Sequence, residues 1–205
     1  VEVSADALRG ALATLEERDP QTASDMQDAI RGLAWRESDD EPLVFGQHAL
    51  QIFLWYVLPE KWDAPEDELL ATARALADLL ETVGAPDRYV ALCRSPETEL
   101  MIRSDGDRFA ELLEASGLEP PDTPLLEWSA LMTIAESEAR DAASVYLEEA
   151  IERGEFEPGT DGWRERQRQV LEAFLTTNDQ DGSTPLERIH AVRIDDWLGR
   201  PAADG

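Results

Sequence analysis

The sequence predicts an all-α protein of about eight helices, arranged as an irregular bundle or as an array of helical hairpins. Three observations predict it. Apolar residues recur at three- and four-residue steps along most of the chain. Those stretches begin after Ser, Thr or Asp and end at Gly followed by Pro, the residues that start and stop helices. Finally, 42% of residues are hydrophobic, with six Trp and five Phe, so the 45 Asp and Glu must coat a folded chain rather than solvate a disordered one.

Ser4 reads as an N-cap, with Leu8, Leu12 and Leu15 following at helical spacing. Pro20 ends that element. Thr22 and Asp25 resemble a capping box for a second helix carrying Met26, Ile30 and Leu33. After the acidic run 37–41, Pro42 is suited to the first turn of a third helix over 43–58, apolar nearly all round and therefore central. Pro59 stops it. Pro65 opens the most amphipathic stretch, with Leu69, Ala73, Leu76, Leu80 and Val83 on one stripe, and Gly84 and Pro86 closing it. Short helices are expected over 88–94 and 97–103, separated by Ser95-Pro96, and another over 108–116 ending at Gly117.

Residues 119–124, Glu-Pro-Pro-Asp-Thr-Pro, are the most linker-like in the chain. A long helix or helix pair spans 125–153, with Trp128, Met132, Ala135, Ala139, Ala142, Tyr146 and Ala150 on the face expected to be buried. Helices over 163–176 and 185–198 complete the chain, and 190–195 alternates enough to leave a strand open as the alternative. One domain over 1–205 is the expected organisation, with subdivision near 59–65 or 117–124 as the alternative. Residues 76–84 echo 109–117, which raises helical repeats as a third architecture. Two amphipathic helices obeying the same capping rules would look alike without being repeats. Val1 in place of Met is what a chain beginning inside a longer reading frame, or one from which residues were removed, would show.

Charge excludes more than it assigns. The formal net charge is -27, from 45 acids against 18 basic residues, of which Lys61 is the single lysine. A surface of that sign repels nucleic acid and anionic membranes, which demand clustered Arg or Lys. The one such cluster, Arg164, Arg166 and Arg168, is expected to answer neighbouring Glu165 and Glu172. The longest apolar stretch, 43–58, is too short to cross a bilayer, and no signal segment heads the chain. A cytoplasmic protein that binds neither membrane nor nucleic acid directly is therefore expected. Acidity of this kind also fits adaptation to salt, in which added ions relieve self-repulsion. Cys93 is alone, so no intrachain disulfide forms, and its apolar neighbours mark it as a packing thiol.

No phosphate loop, HExxH, GxSxG or CxxC is present. Carboxylates at i,i+3 share a helix face and can share a divalent cation. Glu111 with Glu114, and Glu138 with Asp141, form two such pairs. Their order resembles the ExxE…ExxD signature of the all-α nucleoside-triphosphate pyrophosphohydrolases. That resemblance covers four residues. It implies Mg²⁺ held between antiparallel helices and a metal-activated water attacking a phosphate chain, with Arg108 and Arg140 as the adjacent cations. Further pairs of this form, such as Glu16 with Asp19 and Glu149 with Glu152, arise by chance in so acidic a chain.

Residues 178–187 resemble a calcium-binding EF-hand loop out of register. With Gly182 sixth, Thr177 falls first and Arg188 twelfth, where Asp and Glu belong, so a turn capped by Ser183 or Thr184 is the simpler expectation. His48, in the most apolar stretch, reads as a hydrogen-bonded core histidine, and His190 lacks a second ligand at metal spacing. Most of the six Trp read as core. Trp62 and Trp163, at polar element edges, are the candidates for an exposed binding surface. The leading expectation is a non-catalytic protein whose acidic surface meets a basic protein partner. The alternative is the Mg²⁺-dependent hydrolase on Glu111, Glu114, Glu138 and Asp141.

Overall fold

The computed structural model describes residues 1–34, 38–104, 108–120, 133–177 and 184–189. Helix dominates, as the periodicity predicts. The chain divides into two compact units, Val1–Phe109 and Ala110–Gly205, and the division falls between 109 and 110 rather than at either proline-bearing stretch.

In the first unit, strand β1 (Glu2–Val3) leads into helix α1 (Ala5–Arg18), whose N-cap Ser4 accepts from the Ala7 N–H. Asp19 then closes one helix and opens the next. Its N–H donates to Leu15 O, and its carboxylate accepts from the N–H and hydroxyl of Thr22. Pro20 is thus the first residue of α2 (Pro20–Leu33), not merely the end of α1, and the expected Thr22–Asp25 box gives way to an Asp19 cap. Those hydrogen bonds hold the Asp19 carboxyl below its ordinary value. Met26, Ala29 and Ile30 of α2 are buried.

The expected helix over 43–58 begins late. Leu43–Val44 is strand β2, antiparallel to β1 with Val3 opposite Leu43. The local signal was a two-residue period: Leu43 and Phe45 are buried, while Val44 between them is 57% exposed. Helix α3 (Gln47–Ile52) follows, then a π turn (Phe53–Val57) and α4 (Leu58–Lys61). Proline 59 has no N–H, and its ring would press on the carbonyl four residues back in a regular helix. The wider turn absorbs this, with Leu58 N–H reaching back five residues to Phe53 O, so the helix passes Pro59 instead of stopping there. Phe53, Leu54 and Leu58 are fully buried, which places this run at the centre of the unit.

Helix α5 (Glu66–Thr82) buries Leu69, Ala73, Leu76 and Leu80 as the stripe predicts, and Gly84 takes the left-handed conformation (φ 74°) that ends it. Helices α6 (Asp87–Cys93) and α7 (Pro96–Arg103) follow, the latter capped by Ser95. The buried Trp55 indole donates to Thr98 Oγ1 (3.0 Å), which donates to Leu92 O (2.8 Å), tying the central helix to the α6–α7 corner.

Helix α8 (Phe109–Ala115) carries the unit boundary. In the second unit, α9 (Ile134–Glu152) and α10 (Trp163–Leu175) pack around Ala139, Ala143, Leu147, Leu171 and Phe174, and a short α11 (Pro185–Arg188) follows. The buried face of α9 is rotated from the predicted one. Ala143 and Leu147 are buried, whereas Ala142 is exposed, because Glu136, Arg140 and Ser144 also point inward. The two stretches that echo each other in sequence differ in build: residues 66–82 make one long helix, while the described residues of 97–120 belong to α7 and α8. Trp35, Trp128, Met132, Trp197, His190 and the segment 190–195 lie outside the described residues.

Two glycines should separate packing from propensity. Gly10→Ala places its Cβ in open space within α1 and should stabilise by about 0.5–1 kcal/mol. In Gly32→Ala the Cβ would meet the buried Phe53 ring at 3.0 Å, which should reverse the sign. Urea unfolding of both variants checks this, and a stabilised Gly32→Ala would contradict the packing of α2 on the π turn.

Candidate functional site

The four candidate metal ligands all fall within the second unit, and all are exposed. Glu111 and Glu114 lie on α8, Glu138 and Asp141 on α9. Glu114 holds Arg164 at 2.5 Å. Among the described residues no group of three or more His, Cys, Asp or Glu side chains is placed to hold a metal ion. In the EF-hand-like stretch, residues 178–183 lie outside the described residues. Glu187 accepts from the Thr184 N–H (2.9 Å), so it serves the cap of α11.

The tryptophans chosen as exposed are half-buried. Trp163 stacks on Phe156 (6.4 Å between centroids, 11° between planes) and carries the Arg164 guanidinium on its ring at 4.5 Å. Trp62 meets Phe53 edge-on at 6.1 Å, leaving it partly in the core and partly on a cleft. Burial pushes the Cys93 thiol up to about 12, which leaves essentially no thiolate near neutral pH and fits a packing role. His48 is likewise buried.

Sequence reasoning missed the polar interior of the second unit. Arg140, 1% exposed, pairs with Glu119, 6% exposed. The buried Gln167 amide donates to Gly117 O (2.9 Å) and Glu119 O (2.8 Å). Leu118, Glu119 and Pro120 are therefore buried and pinned, so the stretch read as a linker begins as part of the core. Gly117 accommodates this with φ 74°, and a Cβ there would lie 2.8 Å from Pro158 Cγ. The signal was available in outline, since Arg140 and Ser144 share a helix face with Ala143 and Leu147, but a charged residue in an apolar stripe reads by default as surface.

Among the described residues, three clefts of the first unit stand out. One of about 320 Å³ lies along α1 and α2, with Arg9 and Arg31 facing Glu16 and Asp39. A second, about 420 Å³, lies along α5 to α7, with Arg74 and Arg94 beside Asp78 and Glu99. In both, arginines answer the acids in number. The third, about 340 Å³, lies between α2 and α5 and is lined by Asp25, Glu68 and Trp62 over Met26 and Ala75, with no cation.

No protein-family model matches the chain, and comparison with curated proteins and with solved structures finds no similar one.

A buried ion pair deprived of one partner leaves a desolvated charge. Arg140→Met should therefore cost about 3–5 kcal/mol in urea unfolding, and Arg140→Met with Glu119→Met should recover much of that loss. A single variant within about 1 kcal/mol of the native protein would show that the pair does not organise the second unit.

Proposed function

We propose that the chain is a non-catalytic interaction protein whose acidic surface binds a basic protein partner. What supports the reading is where the arginines spend their charge. Arg9 holds Asp6 and Asp40, Arg31 holds Asp28, and Arg94 holds Asp78 and Glu81. Arg103 holds Glu66 and Glu99, and Arg153 holds Glu149 and Glu155.

The one basic cluster in the sequence is spent in the same way. Arg164 goes to Glu114, Arg168 to Glu165, and Arg166 to Thr160 Oγ1 and Asp161 O. Each exposed pair adds little to stability. Together they withdraw cationic heads that a phosphate backbone or anionic surface would need. No helix among the described residues is long and apolar enough to cross a membrane.

A field of one sign steers and selects a partner of the other. Affinity capture on the immobilised protein should recover a partner of basic composition. Its affinity should fall at least about tenfold between about 50 mM and about 500 mM NaCl. Capture that ignores ionic strength, or that recovers an acidic partner, would overturn the proposal.

A further inference from the structure

We infer that the cleft between α2 and α5 is the seat of a single arginine or lysine side chain on a basic peptide segment of the partner. This deepens the proposed function and rests on it. Of the three clefts, two contain as many arginines as carboxylates, and Arg94 of the second is held by Asp78 at 2.6 Å. The third presents Asp25 and Glu68 with no cation. The Asp25 carboxylate accepts from the Gln21 amide (2.9 Å), which fixes it without neutralising it. Among the described residues the Glu68 side chain has no hydrogen-bonding or ionic partner. The single lysine, Lys61, is engaged elsewhere, with its ammonium over the Tyr56 ring at 5.1 Å.

The acids are not the whole of the site. Trp62 supplies an aromatic wall, held by its edge-on contact with Phe53, and Ala75 supplies an apolar floor beneath which Met26 is fully buried. Ala71 and Ala75, at helical spacing on the same face of α5 as Glu68, keep the cleft open where longer side chains would fill it. A volume of about 340 Å³ is at the small end of ligand sites, room for a side chain and not for a cofactor.

An indole, two carboxylates and an apolar floor suit a cation on a hydrocarbon stem. The stem lies on the floor, the charged head meets the ring, and its N–H groups donate to the carboxylates. A bare divalent ion is the poorer match, because it asks for a larger set of oxygens and gains nothing from the indole.

The test is fluorescence anisotropy with a labelled peptide of Gly and Ser around two arginines, and with the same peptide carrying citrulline for arginine. The native protein should bind the arginine peptide and not the citrulline one. Asp25→Asn with Glu68→Gln should weaken binding by about tenfold or more, since hydrogen bonds to charged groups are lost. Glu2→Gln with Glu17→Gln, which removes the same charge from exposed positions in the same unit, should change it less than about twofold. Trp62→Phe, which keeps an aromatic ring against Phe53, should weaken binding by less than the carboxylate pair does.

Equal weakening by the two double variants, or no weakening by either, would overturn the cleft while leaving a diffuse acidic surface as the binding agent. Failure of the native protein to prefer arginine over citrulline would overturn the cleft and the basic-partner reading together.

Discussion

One constraint bears on the surface of this fold throughout: a chain of 205 residues carries a net charge of -27. Like charges at that density oppose compaction, and salt screens them only beyond about 10 Å at about 0.1 M. The chain meets the constraint with short-range answers. Its arginines bridge carboxylates within one helix, as Arg153 does with Glu149, or between elements, as Arg94 does with Asp78 and Glu81. Neighbouring carboxylates in turn hold Arg94, Arg103 and Arg153 above the ordinary arginine value. Helix starts use acids too: Asp6, Glu66, Asp67 and Asp87 sit in first turns, where the helix dipole favours negative charge.

The interior follows a different rule. Unit one buries Phe53, Leu54 and Leu58 around the π turn, and the Trp55–Thr98–Leu92 chain is a polar link within it. Unit two admits Arg140, Glu119 and Gln167 to its core. Desolvation pulls the Arg140 guanidinium down while Glu119 and Asp141 pull it up. Such a pair adds less to stability than to specificity. It fixes where residues 117–120 lie, because only that path brings Glu119 to Arg140 and two carbonyls to Gln167.

Helix existence was legible because it rests on local rules. Ser4, Ser95, Gly84 and Gly117 perform the capping roles their residue types suggest, and the stripe on α5 is the one that is buried. What was not legible depended on tertiary partners. Leu43–Val44 is a strand because β1 lies beside it, and Pro59 is tolerated because the π turn gives way to it. The rotation of α9 follows from Arg140 finding Glu119 across 21 positions of sequence, which no local period records. For the candidate site, Trp62 was visible as an aromatic at a polar edge. Asp25 and Glu68 were two acids among 45, and only the meeting of α2 with α5 sets them around one cleft without an arginine.

The acidity is proposed to serve a basic protein partner rather than a bound metal ion. The most direct test is a thermal melt of metal-stripped protein in MgCl₂, MnCl₂ and CaCl₂ against NaCl at matched ionic strength. Screening alone predicts that Tm rises with ionic strength whichever cation supplies it. A rise of several degrees at low divalent concentration, beyond the NaCl control, would contradict the account, since only converging carboxylates bind a cation tightly enough to shift the folded state by mass action.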